Sequence, residues 1–277
     1  MSNSKVLALE KVARSLRKRV LEMTTDSQSG HPSSCFSCAE IVSALYFSEM
    51  SLRPEEPDWP DRDRFVLSKG HAAPILYAAL IEKGILPEEE ALTLRKLDSR
   101  LQGHPVLGKT PGVDMTTGSL GQGISAAVGM ALVAKIEKKD FFTYVLLGDG
   151  ELGEGQVWEA AMAAGHYRLD NLIAIVDRNF YQSDGNTEDI MSLEPLRAKW
   201  EAFNWDVTEI DGNDVAQCQA ALSLARRRRN RRPKLIIAYT KKGYGCSIMD
   251  DDVKWHGKVL SKEQAQGVIA ELEEGTR

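Results

Sequence analysis

Cysteine is scarce in this sequence: Cys35, Cys38, Cys218 and Cys246 are the only four among 277 residues. So few scattered cysteines cannot build a disulfide scaffold, and we expect reduced thiols. Cys35 and Cys38, with His31 nearby, resemble a redox pair or part of a metal site. A structural zinc site needs four ligands, however, and no fourth ligand is near in the sequence. Packing is therefore the preferred interpretation of both cysteines.

Long apolar runs are also lacking. Residues 1–19 contain no apolar segment of the kind found in secretion signals, and no window approaches the roughly 18 apolar residues that a membrane-spanning helix needs. The chain has 35 Lys+Arg against 40 Asp+Glu, a net charge of −5, so it has no excess of positive charge for nucleic acid or anionic lipid. We expect a cytoplasmic protein that binds neither nucleic acid nor membranes.

One basic run, residues 226–232, invites an RNA-binding hypothesis. It begins in the last turn of an amphipathic segment at 215–229, and positive side chains are favourable at the C-terminal end of a helix. No aromatic residues interleave with the arginines, as they do in many RNA-binding surfaces. A solvated helix end is the preferred interpretation.

From residue 142 onward, short apolar segments alternate with amphipathic ones. The pattern predicts strands at 142–147, 172–176, 205–210 and 235–240, separated by helices at 152–166, 196–203 and 215–229. Such alternation predicts an α/β fold with a mostly parallel sheet and helices on both faces. No linker or internal repeat divides the sequence, so we expect one domain over 1–277, with a C-terminal extension from about residue 241.

The first half of the chain is predicted from its spacing and capping residues. The expected elements are helices at 4–23, 41–47, 74–84 and 87–97 and a strand at 65–67. Ser37 and Glu40 form a candidate capping box before the second helix, and Ser261 with Gln264 forms another before the last helix. Residues 103–123 are rich in glycine and fit neither regular structure, which is typical of functional or disordered loops.

Two predicted strands end in oxygen-bearing side chains. The first is followed by Gly148-Asp149-Gly150, and the second by Asp177-Arg178-Asn179. Ligands of parallel sheets bind at the carboxyl ends of strands, and carboxylate and amide oxygens suit Mg²⁺ or Ca²⁺. A helix expected to begin near Glu151 offers unpaired N–H groups to phosphate. The pattern favours a metal and diphosphate site, although Gly-Asp-Gly and a terminal Asn are also common turn residues.

Four of the five histidines lie in turns rich in Gly, Pro or Lys: His31, His71, His104 and His256. A single loop histidine is usually an exposed polar residue, but four in the same setting favour a functional role. His166 lies on a predicted helix, and we interpret it as a packing or helix-end residue.

Nine segments resemble the transketolase family and occur in the family's order. They are SGHPSS, SKGHAAP, GHP, TTGSLGQG, GDGELGEGQVWEA, VDRNFYQSDG, EIDGND, TKKGYG and KWHGK, spanning about residues 10 to 260. Gly148-Asp149-Gly150 is followed after 28 residues by Asn179, as in the family's thiamine diphosphate motif. The resemblance implies a thiamine-diphosphate-binding fold and the N-terminal, diphosphate-binding subunit of a split transketolase.

Transferred onto matching positions, the resemblance implies a cofactor site for thiamine diphosphate and Mg²⁺, with Ca²⁺ or Mn²⁺ as substitutes. The implied metal ligands are Asp149, Asn179 and the backbone carbonyl of Tyr181. The implied cofactor contacts are His71, Gly118, Ser119, Leu120, Asp149, Gly150, Glu154 and Asn179. At Ser119 the family often has proline. Glu154 matches a glutamate that lies at the subunit interface and links the two cofactor sites.

Three of the turn histidines, His31, His104 and His256, match catalytic residues of the substrate channel. An imidazole with a pKa near ~6.5 can hydrogen-bond sugar hydroxyls and move protons at neutral pH. The implied reaction transfers a two-carbon ketol unit from a ketose phosphate to an aldose phosphate. Which sugars react stays open.

The resemblance covers only the first domain of a transketolase. It therefore implies a partner, a C-terminal subunit that carries the pyrimidine-binding domain and the catalytic glutamate, in an α₂β₂ heterotetramer that is inactive without it. Two alternatives stay open: a subunit of another thiamine diphosphate enzyme, such as a 2-oxo-acid dehydrogenase or deoxyxylulose-phosphate synthase, and a non-catalytic scaffold. His71, His104 and the KWHGK segment favour transketolase.

Overall fold

The computed structural model describes residues 3–275 and contains a five-stranded sheet. Its strands are β1 (Arg64–Leu67), β2 (Thr143–Gly148), β3 (Leu172–Arg178), β6 (Asp206–Asp211) and β7 (Lys234–Tyr239). They lie in the order β1-β2-β3-β7-β6, and each neighbouring pair is parallel. The predicted α/β fold is confirmed, and each predicted strand corresponds to an observed one. A small antiparallel hairpin of β4 (Tyr181–Gln182) and β5 (Gly185–Asn186), which the sequence pattern did not predict, follows β3.

Helices cover both faces of this sheet. They are α1 (Asn3–Ser27), α2 (Pro32–Phe36), α3 (Ala39–Ala44), α4 (Ala73–Glu82), α5 (Gln122–Ile136), α6 (Gly155–Tyr167), α7 (Thr187–Ile190), α8 (Leu196–Ala202), α9 (Val215–Arg227) and α10 (Lys262–Glu274). Successive side chains of a strand point to opposite faces. Tyr144 and Leu146 accordingly join the core formed with α1, α3, α4 and α9, whereas Val145 and Leu147 join the core formed with α5, α6 and α8.

The C-terminal helix α10 packs into the first of these cores. Ala265, Val268 and Leu272 are buried in it. The predicted capping box is present, since Ser261 accepts from the Gln264 backbone and the Gln264 side chain accepts from the Ser261 backbone. No helix among residues 3–275 is long and apolar enough to cross a membrane.

The predicted helix at 87–97 is wrong. Only a 3₁₀ helix over Glu88–Thr93 forms there, and the backbone then leaves helical geometry at Leu94. The Thr93 hydroxyl donates to the carbonyl of Glu90 at 2.8 Å, a local bond that competes with a continuing helix. Arg95 then adopts a left-handed φ of 60°, and its N–H donates to the carbonyl of Leu101 at 2.8 Å.

The capping box predicted from Ser37 and Glu40 is also wrong. The α3 helix has Cys38 as its N-cap, without a side-chain cap, and ends at Ala44 before a π-helical turn over Leu45–Glu49. Ser37 instead donates to the Asp177 carboxylate at 2.6 Å, while Glu40 forms a buried ion pair with Arg17 at 2.6 Å. Distant partners thus replaced the local capping bonds.

Cysteines and basic residues occupy structural positions. Cys35 and Cys38 are buried free thiols, as the packing interpretation predicts, and burial raises the pKa of each. The basic run is exposed, as predicted, except at Arg226. Arg226 is partly buried and pairs with Asp63 at 2.6 Å, and Arg229 pairs with Asp140 at 2.6 Å.

Candidate functional site

The carboxyl ends of β2 and β3 border a cavity of about 400 Å³. The register of the two strands places Gly148 opposite Asp177, so the polar residues after each strand lie together. Predicted site residues that line this cavity are His31, His71, His104, His256, Gly118, Leu120, Asp149, Gly150, Glu154, Asn179 and Tyr181. Ser119 is the exception among the predicted residues, because its side chain is exposed and lies outside the lining.

Asp149 is a buried carboxylate of this cavity, with only 1% of its surface exposed. Its Oδ1 accepts from the N–H of Gly150 at 2.8 Å, and its Oδ2 accepts from the N–H of Phe180 at 2.6 Å and from Arg178 at 3.3 Å. Burial, and then repulsion from Asp177, raise the pKa of Asp149 to about 6. A cation bound there would stabilise the charged form that burial disfavours.

Asn179 lies beside Asp149 at the end of β3 and is 5% exposed. Its Oδ1 accepts from the N–H of Tyr181 at 3.1 Å, which turns the chain into the hairpin. Within residues 3–275, no three His, Cys, Asp or Glu side chains converge as a metal site. The predicted ligands, one carboxylate, one amide and one backbone carbonyl, would suit Mg²⁺, which usually takes few protein carboxylates and fills its octahedron with water and phosphate.

Glycines bring backbone close to the cavity. A Cβ at Gly150 would lie 2.7 Å from the Cβ of Gln182. At Gly118, with a φ of 149°, it would lie 3.2 Å from the ring of His104. Side chains at these positions would therefore displace cavity walls. The helix that was expected to begin near Glu151 begins later, because a 3₁₀ helix over Gly150–Gly153 precedes α6.

The Glu151 side chain lines the cavity and also holds the base of this turn together. It is 2% exposed, and its carboxylate accepts from the N–H groups of Gly121 at 2.8 Å and Gly148 at 3.1 Å. These bonds connect the glycine-rich loop before α5 to the end of β2. Glu151 is therefore a structural residue of the site.

Histidines from three distant turns meet at the cavity. The ring centroids of His31 and His71 are 5.0 Å apart, those of His31 and His256 are 5.4 Å apart, and those of His71 and His256 are 5.8 Å apart. The Nδ1 atoms of His31 and His256 are buried without a hydrogen-bond partner in the described chain. His166 is exposed in the last turn of α6, away from the cavity, as its interpretation as a helix-end residue requires.

The histidines differ electrostatically from free imidazole. Burial, followed by repulsion from Arg95, lowers the pKa of His31 to about 4, and burial with repulsion from Lys242 does the same for His256. The pKa of His71 lies well below its usual value and that of His104 is lowered, in both cases chiefly through burial. An unperturbed imidazole has a pKa near ~6.5. Burial therefore favours the neutral form of all four side chains.

Sequence reasoning missed two buried lysines that line the cavity. Lys69 donates to the carbonyl of Ser34 at 2.8 Å and forms a buried ion pair with Asp177. Lys242 is 1% exposed, and its Nζ makes no hydrogen bond to any residue from 3 to 275. Burial, followed by repulsion from Lys69, lowers the pKa of Lys242 to about 8. Both lie in segments shared with the family, SKGHAAP and TKKGYG, which was the available signal.

Comparison with protein families gives a match over most of the chain. Residues 9–272 match the family model described as transketolase, thiamine diphosphate binding domain. The chain is 43% identical over 272 residues to one of the subunits of the apulose-4-phosphate transketolase of Phocaeicola vulgatus, covering 97% of this chain and 95% of the relative. It is 45% identical over 265 residues to the 6-deoxy-6-sulfo-D-fructose transketolase subunit SqwG of a Clostridium species, covering 96% of each.

Solved structures agree with this result. The transketolase of Leishmania mexicana superposes with a TM-score of 0.90 at 36% identity, over 96% of this chain and 41% of that one. That of Campylobacter jejuni also gives 0.90, at 35% identity, over 99% of this chain and 43% of that one. This chain thus spans about two fifths of the solved transketolases. The chain belongs to the transketolase family, and the part of that family that it matches is the thiamine diphosphate binding domain.

Proposed function

We propose that this chain is the N-terminal subunit of a two-subunit transketolase. With thiamine diphosphate and Mg²⁺, the assembled enzyme transfers a two-carbon ketol unit from a ketose phosphate to an aldose phosphate. The observation that carries this proposal is one cavity in which Asp149, Asn179, an unpaired buried Lys242 and four histidines meet. That combination offers sites for a divalent cation, a diphosphate and a polyhydroxylated substrate together.

The residues present fit the cofactor. Asp149, Asn179 and the carbonyl of Tyr181 would hold the cation, because a buried carboxylate with a raised pKa favours a nearby positive charge. Lys242 makes no direct ion pair with residues 3–275, although Asp177 and Asp149 act on it from a distance, and a diphosphate would supply a direct one. The N–H of Gly150 and the imidazole of His71 would complete the diphosphate contacts. When bound, thiamine diphosphate supplies the carbanion stabilisation that lets a ketose carbon–carbon bond break.

The loop from Gly118 to Leu120 would flank the bound cofactor. Gly118 and Leu120 line the cavity, which supports their predicted contacts, whereas the exposed side chain of Ser119 leaves only its backbone for such a contact.

The other histidines would bind the sugar. A neutral imidazole carries one N–H donor and one acceptor nitrogen, so His31, His104 and His256 can each donate to one hydroxyl and accept from another. Their lowered pKa values favour this neutral form, which keeps one acceptor nitrogen on each ring for a sugar hydroxyl.

The need for a partner is supported by the names of two relatives and by the surface of the chain. Two relatives of nearly the same length are named as subunits, whereas the solved transketolases are more than twice as long. Glu154 lines the cavity with an exposed side chain. Large apolar side chains are exposed on the two neighbouring helices α5 and α6: Val133, Ile136, Met162 and Tyr167. A C-terminal subunit with the pyrimidine-binding domain would cover such a face in an α₂β₂ heterotetramer, and the chain alone would be inactive.

The same proposal extends to substrate and location. Two relatives are named for a phosphorylated and a sulfonated sugar, so an anionic sugar is the substrate class we propose. A cytoplasmic location is proposed because four free cysteines suit a reducing compartment. We treat the chain as a single domain, since α10 packs into the same core as α1.

Two alternatives make different predictions. A subunit of another thiamine diphosphate enzyme would bind the cofactor but not transfer ketol units between sugars. A non-catalytic scaffold would bind neither cofactor nor sugar, although it would not be expected to retain the cation ligands and four cavity histidines.

Calorimetry of thiamine diphosphate binding tests the proposal. The measurement is made with and without Mg²⁺, on this chain alone and with its candidate C-terminal subunit. Mg²⁺-dependent binding that tightens in the mixture, together with ketol transfer by the mixture only, would support it. Turnover by the chain alone would overturn the two-subunit proposal, and absence of binding in every mixture would favour the scaffold.

A further inference from the structure

Arg178, the last residue of β3, is a fully buried cation beside the cavity, with 0% of its side chain exposed. Its Nη1 donates to Asp149 Oδ2 at 3.3 Å and to the Thr187 hydroxyl at 2.6 Å. One nitrogen thus connects a predicted metal ligand at the end of β2 with the first residue of α7. No motif in the sequence assigned the Arg178 side chain a role.

The second terminal nitrogen and the guanidinium plane of Arg178 contact three further residues that follow β3 in the chain. Nη2 donates to Glu188 at 2.6 Å and to Glu194 at 3.3 Å. The guanidinium carbon lies 4.1 Å from the ring centre of Phe180. Phe180 adopts a left-handed φ of 66°, a costly conformation for an aromatic residue that its surroundings must maintain.

These contacts enclose the segment 180–188. Its first residue, Phe180, donates its N–H to Asp149 at 2.6 Å and accepts the N–H of Thr187 at 2.8 Å. Between them lies the β4–β5 hairpin, whose strands have two residues each. Such a short hairpin is not stable by itself and needs tertiary contacts. It nevertheless supplies Tyr181, Gln182, Ser183 and Asp184 to the cavity wall.

We propose that Arg178 is a positioning residue that fixes the Asp149 carboxylate and the segment 180–188 relative to each other, so that cation ligands from two strand ends keep one geometry. This inference rests on the proposed function of the site. Hydrogen bonds to a ligating carboxylate orient it, and their removal typically weakens metal binding by about 10-fold to 100-fold. Arg178 does not line the cavity, so its effect acts through Asp149 and the hairpin.

The test compares four variants of the full chain with its partner subunit: R178M, R178K, E188A and D189A. Glu188 holds the guanidinium from outside the cavity. Asp189 is the matched control, because it carries the same charge in the same turn of α7, is exposed, and makes no hydrogen bond or ion pair with residues 3–275.

Two quantities are measured. The first is the Mg²⁺ concentration that gives half-maximal thiamine diphosphate binding in calorimetry, and the second is amide hydrogen exchange across 180–188 without cofactor. We expect R178M to raise the Mg²⁺ requirement by about 10-fold to 100-fold and to speed exchange in the segment. R178K, which keeps the charge but lacks the planar fork, should lie between R178M and wild type. E188A should change both quantities in the same direction, and D189A should match wild type.

A purely structural arginine would give another result. R178M and E188A would then lower the melting temperature while leaving the Mg²⁺ requirement and the exchange of 180–188 unchanged, and this outcome overturns the proposal. If R178M does not fold, the Mg²⁺ requirement and the hydrogen exchange of R178K and E188A test the proposal instead. If wild type shows no Mg²⁺-dependent binding, the proposed function fails, and the exchange data still decide whether Arg178 orders the segment.

Discussion

Replacing Lys242 with methionine should weaken cofactor binding while stabilising the cofactor-free chain. Lys242 is buried, and its Nζ has no hydrogen-bond partner among residues 3–275. Lowering its pKa from 10.5 to about 8 corresponds to a penalty of about 3 kcal/mol for holding the charge in the fold, since each pKa unit is worth about 1.4 kcal/mol. Methionine has similar length, carries no charge and removes that penalty.

The sign of the pH effect follows from the lowered pKa. Below pH 8 the lysine is charged in both the folded and the unfolded chain, so the penalty is fully present. Between about pH 8 and the unfolded value of 10.5 the unfolded chain binds more protons, and the free energy of unfolding rises with pH. K242M should lose this rise, and at pH 7 it should unfold at a higher temperature than wild type.

Cofactor affinity should change in the opposite direction. A hydrogen bond to a charged group contributes about 1.5–3 kcal/mol, so loss of the ammonium should weaken thiamine diphosphate binding by about 10-fold to 100-fold. Thermal unfolding of the free chain and calorimetry of the assembled enzyme measure the two effects. K241M is the matched control, because Lys241 is the exposed neighbour, and it should change neither quantity. A destabilised K242M with unchanged affinity would refute the assignment of Lys242 to the diphosphate.

Three further changes test the cation site, the glycine turn and the histidines. D149A should abolish Mg²⁺-dependent thiamine diphosphate binding in calorimetry without unfolding the chain, because it removes the cavity carboxylate that is proposed to bind the cation. G150A should weaken binding by about tenfold or more, since its Cβ would lie 2.7 Å from that of Gln182 and displace the hairpin. H31Q should reduce the loss of stability between pH 7 and pH 5 in denaturant titrations. The folded pKa of His31 is about 4 against 6.5 unfolded, so its unfolded form gains protons as pH falls through this range.

Two of these changes, G150A and H31Q, have a control within the chain. A Cβ at Gly153 meets no atom within 4 Å, so G153A should leave cofactor binding unchanged. H166Q changes an exposed histidine and should leave the pH dependence as in wild type. Unaltered cofactor affinity in D149A would contradict the metal assignment, equal affinities in G150A and G153A would contradict the close approach at the turn, and parallel pH profiles for H31Q and wild type would contradict the buried, neutral imidazole.

Local patterns failed where distant side chains offered better partners. Ser37 and Glu40 have the spacing of a capping box, yet they bond to residues 140 and 23 positions away. Helix propensity likewise predicted 87–97 as a helix, but backbone bonds to the following loop ended it after Thr93. At Ser37 and Glu40 tertiary contacts compete with the local hydrogen bonds that the pattern assumes, whereas at 87–97 other local bonds, from Thr93 to Glu90 and from Arg95 to Leu101, end the helix.

The sequence by itself determined the strand and helix order, the glycine turn at Gly148–Gly150 and the carboxylate and amide at two strand ends. These depend on periodicity and backbone freedom, which are properties of neighbouring residues. The site residues named from its family motifs line the cavity, Ser119 excepted, whereas Lys69 and Lys242 were missed.

Only the tertiary structure decided the electrostatics of the cavity. The pairing of Lys69 with Asp177, the isolation of Lys242 and the neutral state of the histidines depend on burial and on charges brought together from distant turns. The anchoring of the hairpin by Arg178 arose in the same way, since its carboxylate partners lie on both sides of it in the chain. Desolvation and charge proximity are set by packing in three dimensions, and no local pattern of residues encodes them.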